Sequence, residues 1–230
     1  MADLLIELAP RLDTLAGQAT GHAVRTCYLA MRLAEALGIG DRDRLGLFYA
    51  ALLHDAGVSE LDPGTSRPAM LRRLMPITRG TDEERRAAEH RRVRRGAQFA
   101  ARAGLGPEVA VTVMALHERW DGRGLPMGLS GETIPIFARI VALADGFDQA
   151  ASDEGRRAAV TTIHARSGTW YDPEMVSVLL ALFANGLLLE LAADGPDSLV
   201  RDLEPNWLVR LVDAGEADRI LSALRLADEG

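Results

Sequence analysis

Apolar residues in this chain recur at helical spacing and nowhere alternate over a useful length. From His22 to Leu37 the positions Val24, Cys27, Met31, Ala34 and Leu37 lie on one stripe, and Gly38 follows as a C-terminal cap. Stripes of this kind are buried helix against helix, so the expected fold class is all-α, without a sheet. At 230 residues and 48% hydrophobic, the chain can bury a sizeable core.

Taken in order, residues 3–18 form a short apolar-patterned segment, and Gly21 opens the helix that begins at His22. Asp41 is the expected N-cap of a second helix, whose Leu45, Phe48, Ala51 and Leu52 lead to His54-Asp55. Proline and glycine rise between Gly57 and Gly80, which predicts loops around one short helix, Ala69 to Met75, as a candidate lid or insertion. Thr81-Asp82-Glu83-Glu84 is a capping-box signature for a helix to about Ala103. Pro107 suits the first turn of another, through Val109, Val113 and Leu116 to His117. After a glycine-punctuated loop, helix resumes from Ile134 to Ala151 and puts Asp145 and Asp148 on one face. Asp172-Pro173 starts the next helix, and the remainder reads as two or three short amphipathic helices.

The chemistry is concentrated in histidines and aspartates. An apolar run ends in His54-Asp55, and a carboxylate brought to the edge of a core needs a partner, of which a metal ion is an efficient one. His22, His90, His117 and Asp145 also fall on expected helices or helix ends. Imidazole and carboxylate without thiolate suit iron, manganese, zinc or magnesium, and the histidine content favours the transition metals. Cys27 is the sole cysteine, so no disulfide framework and no thiolate zinc site is expected. With Lys+Arg 26 against Asp+Glu 33, the net charge of -7 argues against a nucleic-acid polymer or an anionic membrane as partner. The expectation is a soluble, cytoplasmic protein. Arginines crowd the helix after Thr81, either as a solvated face balanced by Glu83, Glu84 and Glu89 or with one edge turned to an anionic substrate. Trp120 and Trp170 are expected as packing anchors, and His164 as a surface histidine.

The series His22, His54-Asp55, His90, His117 and Asp145 resembles the ligand series of the HD metal-dependent phosphohydrolase superfamily. More narrowly, His117-Glu118-Arg119-Trp120-Asp121-Gly122-Arg123-Gly124-Leu125-Pro126, with Gly128 to Glu132 and Ala144-Asp145-Gly146-Phe147-Asp148, resembles the HD-GYP subgroup. Ser167-Gly168-Thr169-Trp170-Tyr171-Asp172-Pro173 is similar to its C-terminal signature. The likeness covers about residues 20–185, which divides the chain into an HD-type helical domain, 1–185, and a helical extension or connector, 186–230.

The resemblance implies that His22, His54, Asp55 and Asp145 hold one metal, while Asp55, His90 and His117 contribute to a second. It also implies a cyclic dinucleotide, chiefly cyclic di-GMP, as substrate. Several positions depart from the subgroup: Leu116 precedes His117 where two histidines are usual, Gln18 stands for a glutamate, Val58 for a lysine and Leu125 for the tyrosine. The expected function is therefore a metal-dependent phosphodiesterase acting on a cyclic dinucleotide or other nucleotide through hydroxide activated by one or two ions, iron or manganese. Asp55 and His54 stand at its centre, with Arg123, Gly124 and Arg92 at the substrate. The alternative is an eroded HD-GYP-like module that senses a nucleotide or scaffolds a partner. A homodimer or a partner protein is compatible with either.

Overall fold

The computed structural model describes residues 1–58, 81–186, 200–201, 203–205, 213–218, 220 and 222. The expected helix from Ala69 to Met75, the lid around it and most of the expected C-terminal helices lie outside the described residues. Within them the chain is all-α, with no strand.

The first helix, α1, spans Ala2–Ala16 and ends on Gly17, whose left-handed φ of 65° a side chain would resist. Next come α2 (His22–Ala36) and α3 (Asp41–Leu52). Asp41 proves to be the first residue of α3 and Gly40 its N-cap. The long arginine-rich helix is α4 (Asp82–Arg102), started by the expected capping box, with Thr81 and Glu84 each accepting from the other's backbone N–H. Then follow α5 (Pro107–Met114), α6 (Ile136–Glu154), α7 (Arg156–Ala165) and α8 (Pro173–Ala184), the last capped by Asp172 through Glu174 N–H at 2.9 Å. Helix α6 runs three residues past the expected end at Ala151, and α7, which follows Gly155, has no counterpart in the sequence expectation.

Helix α2 is the axis of the fold, packed against α1, α3, α6 and α8, while α4 lies along α5. Its buried Val24, Cys27, Leu29, Met31 and Leu33 meet Phe48 of α3 and Phe147 of α6 in one apolar core. Each such side chain contributes roughly 1.5–3 kcal/mol on burial. Val200 and Ile220 belong to the same core, and Tyr49 Oη donates to Glu204 Oε1 at 3.2 Å. Val200, Glu204 and Ile220 thus pack onto the helices that precede them.

Candidate metal centre

The site forms where the start of α2, the turn after α3 and the middle of α6 meet. His22 opens α2 at 1% exposure. Its position is set from below by Asp13 of α1, whose carboxylate accepts from Gly21 N–H at 2.7 Å and Ala23 N–H at 3.0 Å. Its ring is oriented by Asp148 of α6, with Nδ1 2.8 Å from Oδ2, and Arg25 grips the same carboxylate through Nε at 2.7 Å and Nη2 at 3.0 Å. A carboxylate can only accept here, so Nδ1 carries a proton and Nε2 faces the site.

His54 and Asp55 lie in the turn just after α3. His54 Nδ1 donates to the Ala51 carbonyl at 2.7 Å, which again leaves Nε2 for the site. The two Nε2 atoms are 3.1 Å apart. Asp145 Oδ1 is 3.0 Å from that of His22 and 3.8 Å from that of His54, and Asp55 Oδ2 is 3.5 Å from His54 Nε2. One ligand atom each from His22, His54 and Asp55 fall within 4.8 Å of one another. Asp55 Oδ2 is buried and finds no hydrogen-bond partner among the described residues. Converging imidazole nitrogens beside an unsatisfied carboxylate oxygen fit a divalent transition metal.

The electrostatics agree. Burial opposes charge on His22, but its bonds to Asp145 and Asp148 outweigh that and push it up to about 10. Burial would raise Asp55 and Asp145. His54 and Arg92 hold Asp55 below the usual carboxylate range, and the His22 hydrogen bond with the nearby histidines holds Asp145 well below it.

One expected ligand is placed differently. His90 is exposed on α4 and does not join the cluster. The buried face of α4 is Val93, Gly96, Phe99 and Ala100, which centres on Glu89 by helical phase; His90, one residue on, is turned about 100° away. Glu89, read from the sequence as part of the solvated face, instead approaches His117 Nε2 with Oε1 at 3.4 Å. Arg92, expected at the substrate, lines the larger cleft, and its Nη2 donates to Asp55 Oδ1 at 2.6 Å. His117 stands beside the cluster with its side chain 32% exposed, and its enclosure lowers its pKa. The phase of α4 was available in the sequence and would have singled out Glu89 and Arg92 over His90.

Two clefts flank the cluster and share His117, Asp145, Trp170 and Tyr171. One, of about 590 Å³, is lined by Arg85, Arg86, Arg119, Arg123 and Gly124. The other, of about 730 Å³, reaches His22, Asp55, Arg92, Gln18 and Arg166. Arg123 is exposed, and Asp121 Oδ1 accepts from its backbone N–H at 3.0 Å. Buried Glu118 accepts from Met127, Gly128 and Leu129 N–H and so shapes the loop beneath. Trp170, expected as a packing anchor, is 43% exposed between Arg119 and Arg166, whose guanidinium carbons lie 4.3 and 4.8 Å from its ring centre. His164 is exposed, as expected.

The HD domain family model matches residues 8–175. A 3'3'-cGAMP-specific phosphodiesterase of Vibrio cholerae serotype O1 is 29% identical over 244 residues, which cover 89% of this chain and 53% of that protein. A cyclic di-GMP phosphodiesterase of Thermotoga maritima is 33% identical over 174 residues, covering 70% of this chain and 44% of that protein. The chain spans about half the length of the curated relatives it matches. The crystal structure of a cyclic GMP-AMP specific phosphodiesterase from V. cholerae superimposes with a TM-score of 0.87 at 29% identity, over 99% of this chain and 60% of that one. An HDG"Y"P protein from Bdellovibrio bacteriovorus, at 23% identity and TM-score 0.53, shares the fold.

Proposed function

Because the chain belongs to the HD domain family, matched over residues 8–175, we propose that it is a metal-dependent phosphodiesterase of cyclic dinucleotides. The observation that carries this reading is the convergence of His22, His54 and Asp55, with Asp145 beside them, between two clefts that each carry arginines. Relatives that act on cyclic di-GMP and 3'3'-cGAMP supply the substrate class.

In this reading His22, His54, Asp55 and Asp145 hold the ion, iron or manganese by the character of the donors. When bound, such an ion supplies Lewis acidity toward a phosphoryl oxygen and toward water. The chain's own groups do the rest. Asp148 with Arg25, and the Ala51 carbonyl, hold each imidazole with Nε2 toward the site. Arg85, Arg86, Arg119 and Arg123 place positive charge where a phosphodiester would enter. Two clefts meeting at Asp145 suit a substrate with two nucleotide halves, one in each.

The test is hydrolysis of cyclic di-GMP and 3'3'-cGAMP by protein loaded with manganese or iron. Asp55→Ala is expected to lower the rate about a hundred- to a thousandfold, in line with loss of a charge-stabilising group in a water-excluded site, while its far-ultraviolet circular dichroism stays helical. Full activity in that variant would sink the reading. A second reading, a nucleotide-sensing module, draws on Leu116 and the exposed His90, which deplete any second set of metal donors. Tight nucleotide binding with no product formed would establish it over the first.

A further inference from the structure

A second cation beside Asp55 would need donors that the described residues do not bring there. His90 is exposed and Leu116 has no ligating atom, so among the described residues Asp55 keeps only His117, with its neighbour Glu89, on that side. That place holds a side chain. Arg92 Nη2 lies 2.6 Å from Asp55 Oδ1, against a carboxylate 4% exposed. We propose that the Arg92 guanidinium is a built-in cation standing where a second divalent ion would sit, so that the chain carries a single-ion centre whose other positive charge is covalent. This rests on the reading of His22, His54, Asp55 and Asp145 as a metal site.

Three further observations support it. First, the backbone of Arg92 is pinned to the turn that carries Asp55. A Cβ on Gly57 would come within 2.1 Å of the Arg92 carbonyl oxygen, and Arg95 clamps the Gly57 carbonyl through Nε at 3.0 Å and Nη2 at 2.8 Å. The same residue thus meets this turn twice, through its backbone at Gly57 and through its guanidinium at Asp55. Second, the charge is matched: Asp55, Glu89 and Asp145 all favour the guanidinium, which stays protonated at any working pH. A dication pressed into the same place would meet that charge at contact distance. Third, Arg92 keeps donors to spare. The hydrogen bond to Asp55 uses Nη2, and the side chain lines the larger cleft. It can thus hold Asp55 with one nitrogen and meet a phosphate oxygen with another, which a planar five-donor group does more readily than an ammonium.

The experiment is titration of chelator-stripped protein with manganese, read by calorimetry and by elemental analysis after gel filtration. Wild-type protein is expected to take one equivalent. Arg92→Gln should bind that ion about tenfold more tightly, because a neighbouring positive charge has gone. Arg92→Lys, keeping the charge, should stay within about threefold of wild type by the same argument. Arg92→His/Leu116→His should take up a second equivalent. Circular dichroism checks that each variant is folded. Two equivalents in the wild type, or unchanged binding in both Arg92→Gln and the double variant, would overturn the proposal while leaving the metal site intact. No bound ion in the wild type would overturn the metal site itself.

Discussion

His22 illustrates how a buried histidine is made a ligand before any ion arrives. Its two nitrogens face carboxylates of α6, Nδ1 to Asp148 and Nε2 to Asp145. In protein without metal this pushes the imidazole to about 10, above the ordinary 6.5. A folded-state pKa above the unfolded value contributes stability that is fully present below about 6.5 and lost as pH rises through about 10. The thermal midpoint of chelated protein is therefore expected to fall between those values, and Asp148→Asn should flatten the fall. The same variant should weaken manganese binding by about 10–100-fold, the usual cost of losing the group that orients a ligating imidazole. An equal slope in both proteins would rule out this role for Asp148.

Among the elements, α4 closes the side of the centre beside Asp55, through its register against the turn after α3. Gly57 and Gly96 face each other across that contact; a Cβ on Gly96 would come within 2.8 Å of Val113 Cγ1 and 3.3 Å of Gly57 N. Adding a methyl at Gly57 cannot be absorbed by a rotamer change, because what it meets is the backbone of α4. Gly57→Ala is expected to destabilise the fold by about 1–3 kcal/mol, the range for overpacking, and to separate Arg92 from Asp55. Urea denaturation read by tryptophan fluorescence checks the first, and the manganese affinity of the variant checks the second. The register also explains His90. Its identity suggested a ligand, but helical phase assigns the inward positions to Glu89, Arg92 and Val93, and phase prevails because Val93, Gly96, Phe99 and Ala100 must stay buried.

Across the whole molecule, a single core joins α1 to α8 and takes in Val200 and Ile220, at 0% and 1% exposure. The division at 185–186, expected from the extent of the resemblance, thus falls between parts that share apolar contacts. We propose that the segment after 186 stabilises the bundle rather than serving only as a connector. Truncation after Gly186 should lower the thermal midpoint by several degrees, as loss of a few kcal/mol does in a domain of this length; an unchanged midpoint would show the segment to be independent. Among the described residues no helix is long and apolar enough to cross a membrane.

Helical period, capping residues and the glycine breaks were written in the local sequence, so α2, α4, α5 and α8 could be read with ends within a few residues. His22, His54, Asp55 and Asp145 could be named together only through the family resemblance, and the fold does bring them within a few ångströms of one another. What could not be read was which groups face one another across helices. Asp148 on His22, Glu89 beside His117, Arg92 on Asp55 and Trp170 over Arg119 are contacts between residues 28 to 126 positions apart. Such pairings depend on the packing angles and close approaches of whole helices, and these arise only when the apolar stripes are buried together.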